Sequence, residues 1–233
     1  MSMTTPKLSK RLQCAASFVR EGAFVADVGT DHAYLPIALC LEGRICGGVV
    51  SDIHKGPIDR AAEHIRRWGL ERRLTPVHCD GLVALEPYHP EDIFILGMGG
   101  ELIADILGRA PFVKRPDVRL ILQPMTHPEA LRRFLLREGF AIVAETLVLD
   151  DRIYQVLCAE YVGIPVPVPA EDSLALLIGK RNLERRDELT VALVAHWRAV
   201  LERQASGKRQ AGSDATREER LLREIGEWIH DGE

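Results

Sequence analysis

Phe24-Val25-Ala26-Asp27-Val28-Gly29-Thr30-Asp31-His32-Ala33-Tyr34-Leu35-Pro36 is the stretch whose reading decides the fold. Residues 23–28 form an apolar run suited to a buried strand, residues 29–31 a tight polar turn, and Tyr34 begins a helix. A strand that turns sharply into a helix N-terminus is the usual device by which open α/β sheets hold nucleotide-like ligands. The dinucleotide-type glycine pattern is only half kept, because Asp31 and Ala33 stand in place of its later glycines. A pyrophosphate wants bare N–H groups and no negative neighbour. Asp27 and Asp31 suit a ligand carrying an ammonium and a sulfonium instead, which favours S-adenosyl-L-methionine over NAD.

Working outward, Leu8 to Val19 has apolar positions at helical spacing, and Gly22 closes that helix before the first strand. A helix is expected near residues 34–42, a doubly buried strand at 44–51, and a helix with Pro57 in its first turn running to Gly69. Further strands are expected at 74–79, 92–96 and 118–122, with helices after the fourth and fifth. Strands and helices alternating at this spacing predict a parallel sheet covered on both faces. Residues 140–149 and 152–161 then read as two strands separated only by Asp150-Asp151, and so short a connection demands an antiparallel hairpin. A parallel sheet ending in an antiparallel hairpin is the class I methyltransferase architecture, Rossmann-like and of α/β class.

Residues 163–169 (Gly-Ile-Pro-Val-Pro-Val-Pro) predict a stiff extended linker, since each Pro restricts itself and its predecessor. Beyond it, two helical stripes are expected, one through Leu189, Leu193, Trp197 and Leu201, the other through Leu221, Ile225 and Trp228. A break at Ser206-Gly207 and Gly212-Ser213 separates them, with Asp214 or Thr216 as cap. The expected organisation is therefore a Rossmann-like nucleotide-binding domain over 1–162 and a coiled-coil-like helical hairpin over 163–233.

A formal net charge of -4 gives no global basic field, so any nucleic-acid contact needs local cationic patches. Five scattered cysteines without a CxxC pair read as small hydrophobes of a reducing compartment, and no run is apolar enough to span a bilayer. A cytoplasmic chain without membrane or metal partners is expected.

In open α/β sheets the ligand sits beyond the carboxyl ends of the strands. Those ends carry Asp27, Gly29, Thr30 and Asp31, then Asp52-Ile53, Asp80-Gly81 and Gly97-Met98-Gly99-Gly100. Singly, each Gly is turn geometry and each Asp a helix cap; together, at four successive strand ends, they outline a cofactor site. Asp52 lies at the interval where an acidic side chain meets ribose hydroxyls. Asp80 is placed to accept from an exocyclic amine, with Ile53 covering the base.

Several of these motifs also carry a resemblance. Leu8-Ser9-Lys10-Arg11-Leu12, Asp27 to Pro36, Gly97-Met98-Gly99-Gly100 and Leu122-Gln123-Pro124 resemble the bacterial tRNA (adenine(22)-N1)-methyltransferase family over nearly the whole chain. The resemblance implies S-adenosyl-L-methionine as methyl donor, N1 of an adenine in the D-arm region of tRNA as acceptor, and C-terminal helices that help hold the tRNA. Met125 after Leu122-Gln123-Pro124 and the mixed charge of those helices depart from the family pattern. N1 of neutral adenine carries a lone pair, so the reaction asks mainly for alignment and for splaying the base out of its helix. His32, Tyr34, Met98 and Gln123 are the side chains expected near methyl and base, Tyr34 by stacking and Gln123 by hydrogen bonding. Phosphate contacts are expected from Lys7, Lys10 and Arg11 and from Lys55 and Arg60.

Other readings stay open from the residues alone. A methyltransferase acting on another RNA, a protein or a small molecule is the nearest. Exocyclic N6 methylation is disfavoured because Gly97 to Gly100 is not an Asp/Asn-Pro-Pro-aromatic sequence. A non-catalytic nucleotide- or RNA-binding protein would keep the pocket as scaffold, and an NAD-dependent dehydrogenase lacks the glycines it needs.

Overall fold

The structure, a computed structural model, describes residues 5–30, 32–168 and 171–232. Among them seven strands, β1 (Ala23–Val28), β2 (Ile45–Asp52), β3 (Leu74–His78), β4 (Asp92–Met98), β5 (Arg119–Pro124), β6 (Phe140–Leu149) and β7 (Ile153–Tyr161), form one sheet ordered 3-2-1-4-5-7-6. Strands β1 to β5 pair in parallel, whereas β7 pairs antiparallel with both β5 and β6. The class I methyltransferase topology expected from the sequence is therefore the one observed. The hairpin lies at one edge of the sheet, with β7 inserted between β5 and β6.

Helices α1 (Lys10–Ala16), α2 (Tyr34–Leu41), α3 (Lys55–Arg67), α4 (Gly100–Gly108) and α5 (Pro128–Arg137) cover the two faces. Period-2 geometry decides which residues meet which helices. Ala26, Val28, Ile93, Ile95, Leu120 and Leu122 face one side, with Ile103, Leu107, Leu131 and Leu135 of α4 and α5. Val25, Phe94 and Ile121 face the other, with Ala15, Ile37, Leu39, Ala61 and Ile65 of α1 to α3. Because both faces are buried, the strands read as continuous apolar runs.

The C-terminal region differs from expectation in detail. Among its described residues are four helices, α6 (Leu174–Ile178), α7 (Lys180–Arg185), α8 (Glu188–Gln210) and α9 (Thr216–His230). Gly179 (φ +100°) and left-handed Arg186 (φ +50°) separate the first three. No break occurs at Ser206-Gly207, which α8 carries straight through. Nothing approaches a Cβ built at Gly207, and Leu201 and Ala205 bury the opposite side, so packing outweighs the roughly 1 kcal/mol helix penalty of glycine. Asp214 accepts from the N–H and hydroxyl of Thr216 and so starts α9 from two residues upstream.

Helices α8 and α9 run antiparallel, with Lys208 bonded to Glu218 at the loop end and Trp228 donating to the Leu183 carbonyl at the other. Their core is not independent of the sheet. Leu147 of β6 and Ile153 of β7 pack among Leu174, Leu177, Leu193, Leu201, Leu221 and Ile225. Beneath them, fully buried Arg132 of α5 bonds Glu145 at 2.8 Å, Gln155 and the carbonyls of Leu176 and Ile178. Glu145 also accepts from the Arg181 N–H. A buried ion pair adds little net stability, but removing one partner strands the other charge, so this joint fixes where the helices dock. A Cβ at Gly179 would lie 2.3 Å from the Glu145 carboxylate, which explains the glycine there.

Candidate active site

The carboxyl end of central strand β1 opens into a cleft of about 260 Å³, lined by Asp27, Gly29, Thr30, His32 and Tyr34 together with Arg11 and Leu96. The Gly29 and Thr30 N–H groups both donate to the Ser51 carbonyl, tying the turn to β2 at 2.8 and 3.0 Å. Gly29 has φ +77°, and a Cβ there would sit 2.1 Å from the Met98 methyl. Both the backbone and the neighbour therefore require glycine. The Thr30 hydroxyl accepts from the Ala33 N–H and bonds the Asp27 carboxylate. Ala33 holds a left-handed φ of +56°, a conformation that costs a residue with a Cβ about 1 kcal/mol or more.

Asp27 is buried, and among the described residues no cation pairs with it. Burial pushes its carboxyl up to about 6, with the Thr30 hydrogen bond pulling the other way. A buried carboxylate beside a glycine turn fits a ligand bearing an ammonium group, which would supply the missing counter-charge. The residues present thus fit S-adenosyl-L-methionine. Asp31, the other acidic residue expected here, lies outside the described residues.

At the next strand ends the expected residues are in place but differently engaged. One Asp52 oxygen accepts from the His54 N–H at 2.7 Å, and the Asp52 carbonyl accepts from the Cys79 N–H. Ile53 beside it is exposed. Asp80 has a protein partner that the sequence did not indicate: both its oxygens bond Arg109, at 2.7 and 3.3 Å. That hydrogen bonding holds its carboxyl below the usual carboxylate range. Gly81 packs against Ile106. In the fourth turn, strand β4 continues to Met98, two residues beyond expectation. A Cβ at Gly99 would meet the Thr126 hydroxyl at 3.1 Å, and one at Gly100 would lie 2.1 Å from the His127 carbonyl oxygen. Gly97 (φ +83°) faces Arg11. The glycines of this motif thus bring β4, Arg11 and the β5–α5 loop together around Met98.

Of the residues expected at the methyl and base, His32 and Tyr34 stack with ring centroids 5.1 Å apart. A third ring, His64 of α3, lies 5.1 Å from His32 and 5.2 Å from Tyr34, and its Nδ1 is 3.1 Å from the His32 carbonyl oxygen. Tyr34 is 41% exposed, which leaves it available to a base. Gln123 departs from expectation. It is fully buried, its Oε1 accepts from Arg11 at 2.6 Å, and its amide donates to the Pro124 carbonyl. Its polar atoms are thus engaged within the protein. The group that reaches the cleft is Arg11, expected on the surface against phosphate but packed over the Tyr154 ring at 5.4 Å.

Lys7 and Lys10 are exposed at the N-terminal end. Lys55 pairs with Asp59 and Arg60 is exposed on α3. Lys114 and Arg119, further cations of the sequence, are committed to Glu138 and Glu160. Sequence reasoning missed His64, Arg109 and Tyr154, because each reaches the site across at least 29 residues of chain, with no local periodicity to mark it. Among the described residues no group of three or more His, Cys, Asp and Glu is placed to hold a metal ion, and no helix is long and apolar enough to cross a membrane.

Residues 8–157 match the model of a family described as a methyltransferase domain. The tRNA (adenine(22)-N(1))-methyltransferase of Bacillus subtilis strain 168 is 38% identical over 159 residues, covering 68% of this chain and 67% of that protein. The crystal structure of the B. subtilis m1A22 tRNA methyltransferase superposes with a TM-score of 0.80 at 29% identity, covering 96% of each chain. A Streptococcus pneumoniae protein solved in complex with S-adenosyl-L-methionine superposes at 0.81 with 31% identity, covering 96% of this chain and all of that one. The chain belongs to the tRNA (adenine(22)-N1)-methyltransferase family of class I methyltransferases.

Proposed function

We propose that the chain transfers a methyl group from S-adenosyl-L-methionine to N1 of an adenine in tRNA, adenine 22 of the D-arm region. The observation that carries this reading is the buried Asp27 carboxylate beside the Gly29 turn, closed by Met98, in a fold matched over nearly its full length by m1A22 tRNA methyltransferases. When bound, S-adenosyl-L-methionine supplies an electrophilic methyl on a sulfonium. Asp27 and Asp31 would hold its ammonium end, Gly29 and Thr30 its backbone-facing side, and Asp52 its ribose hydroxyls, with Ile53, Gly81, Gly97 and Gly99 contributing at the neighbouring strand ends. Asp80, held by Arg109, keeps lone pairs on both oxygens with which to accept from an adenine amine.

Adenine N1 needs no general base to expose its lone pair, so the work of the chain is alignment. Met98 presents an apolar surface where methyl and base meet, and the rings of Tyr34 and His32, supported by His64, offer a stacking platform for the splayed base. Arg11 acts inside the site, holding Gln123 and the β5 end in place. Lys7 and Lys10, with Lys55 and Arg60, would meet phosphate. Residues 1–162 would perform catalysis and residues 163–233 would steady the tRNA, in the cytoplasm where tRNA resides. The test is incubation with labelled S-adenosyl-L-methionine and unmodified bulk tRNA, followed by nucleoside mass analysis. Expected is 1-methyladenosine, lost on Asp27→Ala; cofactor binding without label in any tRNA would refute the substrate.

A further inference from the structure

Beside the transfer site, between the β5–α5 loop, the start of β7 and helix α8, lies a second cavity of about 530 Å³. Its walls include Met125, Glu129, Arg152, Tyr154, His196 and Trp197. The chemistry of these walls is unlike an ordinary packing defect. Trp197 and His196 stand edge to face at 6.1 Å, and Arg152 lies over the Tyr154 ring at 5.1 Å, giving flat surfaces and a cation on one rim. Glu129 is 8% exposed; its Oε1 lies 3.2 Å from His127 Nδ1, while its buried Oε2 has no hydrogen-bond partner among the described residues. A buried carboxylate oxygen without a donor is costly, and a ligand bearing an N–H group would relieve it.

We propose that this cavity binds a nucleobase of the tRNA adjacent to the methylated adenine, stacking it on Trp197 and taking its amine at Glu129. The proposal rests on the tRNA reading above. Exocyclic amines of adenine and cytosine are donors that match a carboxylate acceptor, and aromatic faces accept any base. The base held here is not the one methylated. The cavity shares no wall residue with the cofactor cleft. The two are partitioned by the contact of Arg11, which lines the cleft, with Tyr154, which lines the cavity. A strand opened at the target adenine has an unstacked neighbour to place, and Arg152 on the rim suits the phosphate between the two. The site also gives the C-terminal helices a direct part in substrate selection, since Trp197 and His196 belong to α8.

The experiment compares wild type, Trp197→Leu and Glu129→Gln on tRNA transcripts in which either nucleotide flanking the target adenine is made abasic. For wild type, one of the two abasic transcripts should raise KM about tenfold, the size of one lost base–aromatic stack. Each variant should raise KM for intact tRNA similarly and show no further penalty with that transcript. The affinity for S-adenosyl-L-methionine and the melting temperature, measured in parallel, should stay at wild-type values. Equal abasic penalties in wild type and variants, or an unchanged KM in both variants, would overturn the subsite while leaving tRNA methylation standing. Absence of 1-methyladenosine with wild type and intact tRNA would overturn the tRNA reading and the subsite with it.

Discussion

Replacing Asp27 by Asn separates what this residue costs the fold from what it gives the site. Burial raises the carboxyl from 3.8 to about 6. The folded chain therefore holds that proton more tightly than the unfolded chain, and the stability from this difference is present below the unfolded value and lost as pH rises through about 6. A shift of roughly 2 units at 1.36 kcal/mol each makes the ionised carboxylate a burden of about 3 kcal/mol in the empty protein at pH 8. Asn keeps the shape and can still accept from Thr30. The ligand-free variant should converge on wild type as pH falls below 4 and melt above it at pH 8, by roughly 5–10 °C for a chain of this size. Its affinity for S-adenosyl-L-methionine should fall about 10- to 100-fold through loss of a charge-assisted contact. Wild-type affinity should decline below pH 6 as Asp27 protonates, and the variant's decline should be much weaker. Melting curves at several pH values and calorimetric titration measure both effects. Parallel melting of the two proteins across pH 4.5–8, or undiminished binding by the variant, would refute the reasoning.

Other expectations follow from the same geometry. Gly29→Ala must place a Cβ against Met98 at positive φ, so cofactor binding should be lost in titration even where circular dichroism shows the fold retained. Arg132→Ala strands the buried Glu145 charge and should cost about 3–5 kcal/mol in denaturant unfolding, with Arg132→Met/Glu145→Leu recovering much of it. Lys7→Ala/Lys10→Ala should weaken tRNA binding and reduce the slope of log K against log salt by about 1.5 to 2; an unchanged slope would remove both lysines from the phosphate contacts. Phe94→Ala, emptying a fully buried site on the central sheet, should cost about 3–5 kcal/mol by chemical denaturation.

How much of this was legible in the sequence depends on the range of the interaction. The β6–β7 hairpin was legible because Asp150-Asp151 leaves room only for an antiparallel return, and the parallel strands because apolar runs recur between helical stripes. Asp27 and Gly29 were legible because a strand end in an open sheet is where a ligand binds. The partners of those residues were not. Arg11 lies 112 residues from Gln123, and Arg109 lies 29 from Asp80; only the folded sheet brings them together, and each gives a side chain a partner that its local context did not indicate. The C-terminal break falls at Gly212-Ser213 as the sequence implies, but not at Ser206-Gly207: local propensity counts Gly207 against a helix, whereas Leu201 and Ala205 bury the stretch against its neighbours. Glu129 carried no local sign at all, since its unpartnered oxygen is a property of the cavity around it.

The central claim, attack by a ring nitrogen of one adenine in tRNA, is tested most directly by removing that nitrogen alone. A tRNA carrying 1-deazaadenosine at position 22 keeps the shape, the exocyclic amine and the stacking surface of the base but has a C–H in place of N1. The account predicts that this tRNA competes with unmodified tRNA for the protein and receives no methyl group from S-adenosyl-L-methionine. Methylation of the deaza transcript at the wild-type rate would contradict it.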